Sequence, residues 1–231
     1  MSIFAISDLH LSLGCNKPMD IFGSKWDNYT ERMQENWNAI VAPDDLVIVP
    51  GDISWATYLE DAVSDFEYIH SLNGTKLIIK GNHDYWWTTP AKMNKFLLSN
   101  DFDSIKILQN TAHLYEDTAI CGTRGWTIPP VNSTSENVKI FEREKQRLIL
   151  SLEDAKAKHA KEIIAALHYP PIEGSCNDFL EILKAYNVKT CLFGHLHGAA
   201  HKSAPVGEID GIKLKLVACD YLNFIPALIQ K

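Results

Sequence analysis

The chain has 231 residues, of which 46% are hydrophobic and 22% charged, with a formal net charge of −7 at pH 7. This composition excludes a disordered or low-complexity chain, and the length suits one domain over residues 1–231 with a substantial core. The acidic balance excludes an extended nucleic-acid face, so an anionic ligand would need a local source of positive charge.

The N-terminus, MSIFAISDLH, begins as a strand, with neither a basic leader nor a long apolar stretch, and no segment reaches the ~20 apolar residues of a membrane span. The expectation is a soluble, cytoplasmic protein without a membrane partner. SIFAIS (2–7), DLVIVP (45–50), TKLIIK (75–80), EIIAALH (162–168) and VKTCLFG (188–194) read as strands. Between the first of them, helical spacing relates Met33, Trp37, Ile40 and Val41 in 27–41, and Leu59, Val63, Phe66 and Ile69 in 57–71. Continuous apolar strands alternating with helices predict an α/β fold whose sheets are covered on both faces.

Residues 105–121 read as a meander of close-set strands, and 136–161 as a long exposed helix that buries Phe141, Leu148 and Leu152. GIKLKLVACDYLNFIPALI, near the C-terminus, reads as hairpin strands. PPVNSTSEN (129–137) reads as a loop able to cover a site. The five cysteines, Cys15, Cys121, Cys176, Cys191 and Cys219, form no CxxC pair and are expected to be reduced thiols, with Cys191 and Cys219 in the core.

The chemistry-bearing residues stand where strand runs stop. SIFAIS runs into Asp8-Leu9-His10, DLVIVP into Gly51-Asp52, and TKLIIK into Gly81-Asn82-His83-Asp84. EIIAAL ends at His168, and TCLF at Gly194-His195-Leu196-His197. In α/β folds the carboxyl ends of strands are where loops converge on a site. Any one of these pieces is an ordinary turn. The ordered set is not: it offers carboxylate, amide and imidazole donors of the kind that bind Mn, Fe or Zn rather than Mg or Ca. Asp8 and His10 share one side of an extended strand end.

The series Asp8-x-His10, Gly51-Asp52, Gly81-Asn82-His83-Asp84, His168, Gly194-His195-x-His197 resembles the calcineurin-like metallophosphoesterase superfamily, from residue 8 to residue 198. The pattern DLHLS…GDISWA…GNHDYWW resembles that of a group of small predicted bacterial phosphohydrolases. The resemblance implies a four-layer α/β/β/α sandwich with two mixed sheets and two transition-metal ions at the sheet edge. It implies that Asp8, His10, Asp52 and His197 hold one metal, and Asp52, Asn82, His168 and His195 the other, with Asp52 bridging. Two such ions ~3.5–4 Å apart can activate a bridging water and clamp a phosphoryl oxygen.

His83 is then the expected general acid toward the leaving oxygen, and Asp84 is expected to bond its imidazole and raise its pKa. Arg124, between two glycines in CGTRGW, is expected to reach a substrate phosphate with its planar fork. Tyr85, Trp86 and Trp87 read as packing residues, with base stacking as the other reading. His70, His113, His159 and His201 match no motif and read as surface residues. The implied activity is hydrolysis of a small phosphodiester or phosphomonoester, with a nucleotide as one candidate substrate. Two alternatives stay open: a metal-dependent nuclease, which needs a basic groove, and a non-catalytic scaffold on the same fold, which would have lost a ligand.

Overall fold

Strand β2 (Leu46–Pro50) is apolar at every position because both of its faces are covered. Leu46 and Ile48 share a core with Ile120, Ile164 and Leu192, whereas Val47 and Val49 pack with Met33, Trp37 and Phe66. The first of these cores lies between two sheets, the second between a sheet and its helices. This is the period-two alternation of a strand, with both sides apolar.

The computed structural model describes residues 1–129, 135–174 and 176–231. Its first sheet joins β1 (Ile3–Ala5), β2, β3 (Thr75–Ile79) and β4 (Ile105–Ile107) in parallel, with β11 (Ala227–Gln230) antiparallel beside β1. The second runs β5-β6-β7-β8-β10-β9, built from His113–Tyr115, Thr118–Thr123, Glu162–Leu167, Thr190–Phe193, Ile212–Leu216 and Gly207–Ile209 respectively. Here β6, β7, β8 and β10 are parallel and the two edge strands antiparallel.

Helices α1 (Tyr29–Ile40), α2 (Val63–Ser71) and α3 (Pro90–Ser99) cover the first sheet, through Met33, Trp37, Phe66 and Met93. Helices α4 (Ser135–Ala157) and α5 (Asp178–Ala185) cover the second, through Phe141, Leu148, Leu152 and Leu180. The result is the α/β/β/α sandwich. Cys191 and Cys219 are in the core as expected, and all five cysteines are free. No helix among the described residues is long and apolar enough to cross a membrane.

Two expectations of strand pairing need correction. The stretch 105–121 is not a meander, because β4 pairs with β3 in the first sheet while β5 and β6 form a hairpin in the second. The C-terminal run is likewise divided: β10 and β11 belong to different sheets, and the hairpin partner of β10 is β9. Its turn is Asp210-Gly211, both at positive φ, which is the turn chemistry that closes tight hairpins. Helix α5 has no counterpart in the sequence reading. Of the loop 129–137, positions 130–134 lie outside the described residues, and from Ser135 the chain is helical.

Candidate metal centre

The turns that follow β1, β2, β3, β7 and β8 meet at one edge of the sandwich, because the N–H groups of one turn bond the side chains of another. His195 N donates to both carboxylate oxygens of Asp8 at 3.0 and 3.1 Å, and His83 N donates to Asp52 Oδ1 at 2.8 Å. Asp8, His10, Asp52 and His195 all have positive φ, between 46° and 71°, so Asp8 and His10 stand in a turn beyond β1 and not on the extended strand end expected for them. A side-chain-bearing residue in that region costs ~1–3 kcal/mol and persists only where its surroundings hold it. Gly81 and Gly194 let the loops lie directly on the two carboxylates, since a Cβ at either position would collide with Asp52 or Asp8.

The donor atoms face each other. His197 Nε2 lies 3.2 Å from His10 Nε2 and 3.3 Å from Asp8 Oδ1. His168 Nε2 lies 2.7 Å from Asn82 Oδ1 and 3.4 Å from Asp52 Oδ2, and His195 Nδ1 lies 2.9 Å from Asn82 Oδ1. Asp8, His10 and His197 form one group able to hold a cation; Asp8, Asp52 and His168 form a second. All seven residues expected as ligands are thus brought together.

Second bonds orient the rings. His168 Nδ1 is 3.1 Å from Pro50 O, and His197 Nδ1 is 2.9 Å from Asp220 Oδ1. When these Nδ1–H groups donate, both Nε2 lone pairs are left turned inward, as metal-binding imidazoles require. Burial lowers the pKa of His10 to about 3 and of His195 to about 4, so both rings are neutral, the ligating form. Burial, with the Asp8 carboxylate next, pushes Asp52 up to about 8. For Asp8 burial acts upward as well, but His197 outweighs it and the pKa falls well below the usual carboxylate range. Two buried carboxylates facing imidazole and amide donors are the chemistry of a cation site, and the residues present fit one.

The calcineurin-like phosphoesterase profile matches residues 1–199. The chain belongs to that family. No curated protein matches its sequence. Among solved structures, a phosphopantetheinyl hydrolase from Mycobacterium tuberculosis is similar with a TM-score of 0.57 and 13% identity, covering 99% of this chain and 95% of that one. A protein of unknown function from Aquifex aeolicus has a TM-score of 0.50 at 16% identity, covering 98% and 95%. A Thermus thermophilus protein has 0.51 at 10%, covering 99% and 97%. These likenesses show the fold. The family makes the chain a metal-dependent phosphoric ester hydrolase.

In this phosphoesterase His83 stands beside the candidate ligands, with its ring partly exposed and Nε2 4.0 Å from Asp52 Oδ2. Asp84 does not bond it. The Asp84 carboxylate is buried and accepts from the N–H groups of Gly81 (2.7 Å), Ile53 (2.8 Å), Asp52 (3.0 Å) and Ser54 (3.3 Å). Its position under the turn, close to four converging amides, leaves no acceptor for His83 Nδ1, which has no partner among the described residues. The expected rise in the His83 pKa is therefore reversed: burial, with His168 next, lowers it from 6.5.

Arg124 is 14% exposed, lies 3.2 Å from the buried Glu144, and stacks on Trp126 with 4.4 Å to the ring centre. Its carbonyl accepts from His168 N at 3.0 Å, so the residue adjoins the centre through its backbone, not through its guanidinium. Trp86 and Trp87 are core residues, and only Tyr85 is exposed. His201 is not a free surface residue, since its Nε2 lies 3.2 Å from Asp220 Oδ2.

Several site residues escaped the sequence reading. Asp220 ends the apolar run LKLVAC just beyond β10, so the strand-end rule that found the other carboxylates would have found it too. Trp55, in GDISWA, stacks on His10 at 5.0 Å and lies 4.4 Å from His83; Tyr169 lies 4.1 Å from His195. Nothing in the spacing of these aromatics distinguishes them from core. Trp26 is buried against His10 and His197, with 6.1 Å between ring centres in each pair.

Proposed function

We propose that the chain, acting as one catalytic domain over 1–231, uses two transition-metal ions (Mn, Fe or Zn) to hydrolyse a small phosphodiester or phosphomonoester. Asp8, His10, Asp52 and His197 hold one ion, and Asp52, Asn82, His168 and His195 the other. The observation that carries this reading is the convergence of the His168 and His197 Nε2 atoms, each with its Nδ1 engaged elsewhere, on the Asp8–Asp52 carboxylate pair.

Bound there, the metals supply Lewis acidity and an activated water for attack at phosphorus. The chain's own residues do the rest. Asn82 and the four imidazoles orient the donors without adding negative charge, so an anionic ester is still attracted. His83, whose ring packs against Trp55, gives its proton to the leaving oxygen. Trp26, Trp55 and Tyr169 flank the imidazoles and exclude water from their faces.

The test is hydrolysis of bis-p-nitrophenyl phosphate and p-nitrophenyl phosphate by the purified protein with added Mn²⁺, with Asp52→Ala alongside. Dominant diester cleavage would direct the substrate search to cyclic nucleotides and similar diesters, and dominant monoester cleavage to phosphorylated metabolites. Undiminished turnover by Asp52→Ala would overturn the two-metal reading.

A further inference from the structure

A cavity of about 400 Å³ opens between the ends of β3 and β6, beside the candidate metal centre but apart from its ligands. It is walled by Lys80, Lys92, Arg124 and Arg147, and Glu144 is the only acidic residue among its lining. Both arginines share that one carboxylate, with Arg124 at 3.2 Å and Arg147 at 2.7 Å from the same oxygen, Oε1. Thr123 Oγ1 donates to the other oxygen at 2.5 Å. Glu144 is therefore fully engaged, and the lining keeps a formal charge of +3.

Lys80 is half-buried at the end of β3 and has no ion pair or side-chain hydrogen bond among the described residues. Two further polar atoms of the lining residues, Arg124 Nε and Thr88 Oγ1, are buried without a partner. Surplus cations are costly to bury unless an anion pairs them. On a chain of net charge −7, a concave site of this sign is a local reversal. Its volume is that of a small-molecule pocket and exceeds what a bare inorganic anion fills.

The pocket adjoins the metal centre by covalent and hydrogen-bonded connection. Lys80 is two positions before Asn82, a span of at most ~7 Å. The Arg124 carbonyl accepts from His168 N at 3.0 Å.

We infer that this pocket binds the phosphoryl group of a small organic phosphate, held by Lys80, Arg124 and Arg147 away from the candidate metal ligands. The group is either a second, unreacting phosphoryl of the substrate or belongs to a separate ligand. The first alternative rests on the phosphohydrolase reading above; the site itself does not.

The experiment is calorimetric titration of inorganic phosphate into the metal-stripped protein, which removes the metals as a competing anion site. The native chain and His197→Ala are expected to bind phosphate alike, and Lys80→Gln and Arg147→Gln to bind it roughly tenfold or more weakly, as for a lost charge-assisted bond. No binding by the native chain, or equal binding by both pocket variants, overturns the inference. Loss of binding in His197→Ala does so too, since it would place the anion at the metal centre. In the metal-loaded protein, a nucleoside bisphosphate binding once per chain where inorganic phosphate binds twice assigns the pocket to the substrate's second phosphoryl. Two bisphosphates per chain assign it to a separate ligand. Failure of catalysis in the p-nitrophenyl assays leaves the metal-free titration unaffected, so the two readings can fail separately.

Discussion

His197 Nδ1 and Asp220 Oδ1 are 2.9 Å apart, and this bond turns the Nε2 of His197 toward Asp8 and His10. The carboxylate is itself anchored, since its other oxygen accepts from Gly198 N at 3.1 Å and lies 3.2 Å from His201 Nε2. Burial would lower the His197 pKa, but the hydrogen bonds with Asp220 and Asp8 outweigh it and raise it to about 10. Asp220→Ala is expected to weaken Mn²⁺ binding ~10–100-fold, the usual consequence of losing a carboxylate that orients a metal-bound imidazole. Equilibrium dialysis with metal analysis measures this. Unchanged affinity would mean that His197 needs no such partner.

The His83 side chain makes no hydrogen bond to a candidate ligand, so its removal should spare the metals. His83→Ala is expected to retain native metal content while kcat falls roughly 10²–10⁴-fold, as for a lost general acid. The loss should shrink as the leaving group becomes more acidic, because a good leaving group needs no proton. Equal losses across a series of substituted phenyl esters would reduce His83 to a positioning residue.

Asp84 is expected to act on stability. Replacing it by alanine leaves four N–H groups without their acceptor, each costing ~1–3 kcal/mol if no water replaces it. Even the lower bound, ~4 kcal/mol in total, lowers the melting temperature by roughly 8–16 °C for a chain of this size. Asp84→Ala that melts like the native protein yet loses activity would instead place the carboxylate in the chemistry.

Lys76 gives a pH signature far from the site. It is fully buried in β3, and its ammonium donates to Leu72 O at 2.6 Å and His70 O at 3.3 Å, the carbonyls at the end of α2. Burial lowers its pKa from 10.5 to about 8. Below pH 8 the lysine is protonated in both folded and unfolded chains, and the full penalty of burying the charge is present. Between pH 8 and 10.5 the unfolded chain binds the extra proton, so stability from this group rises with pH. The melting temperature of Lys76→Met minus that of the native protein should accordingly be more positive at pH 7 than at pH 10. A difference independent of pH would show that Lys76 stays protonated in the fold.

The strand ends made the candidate ligands legible. An apolar run followed at once by Asp, Asn or His places a polar side chain at a sheet edge whatever the rest of the chain does, and glycine beside it marks a close approach. The same logic would have supplied Asp220, which sits at the end of such a run. Pairing was less legible for β4 and β5. Both are short stretches that hydrophobicity alone cannot assign to one sheet or the other, and the assignment depends on distant strands β3 and β6.

By itself the sequence determined the α/β character, the buried strands and the identity of the donors, because these follow from local patterns of apolar, polar and glycine residues. Only the tertiary structure decided which donor faces which. It took Asp84 from His83 and gave it to four backbone amides, paired His197 with Asp220, and set Lys80, Arg124 and Arg147 around one cavity. Most of these partners, such as Asp84 and Ile53 or His197 and Asp220, lie on chain segments far apart in sequence, and no local spacing encodes them.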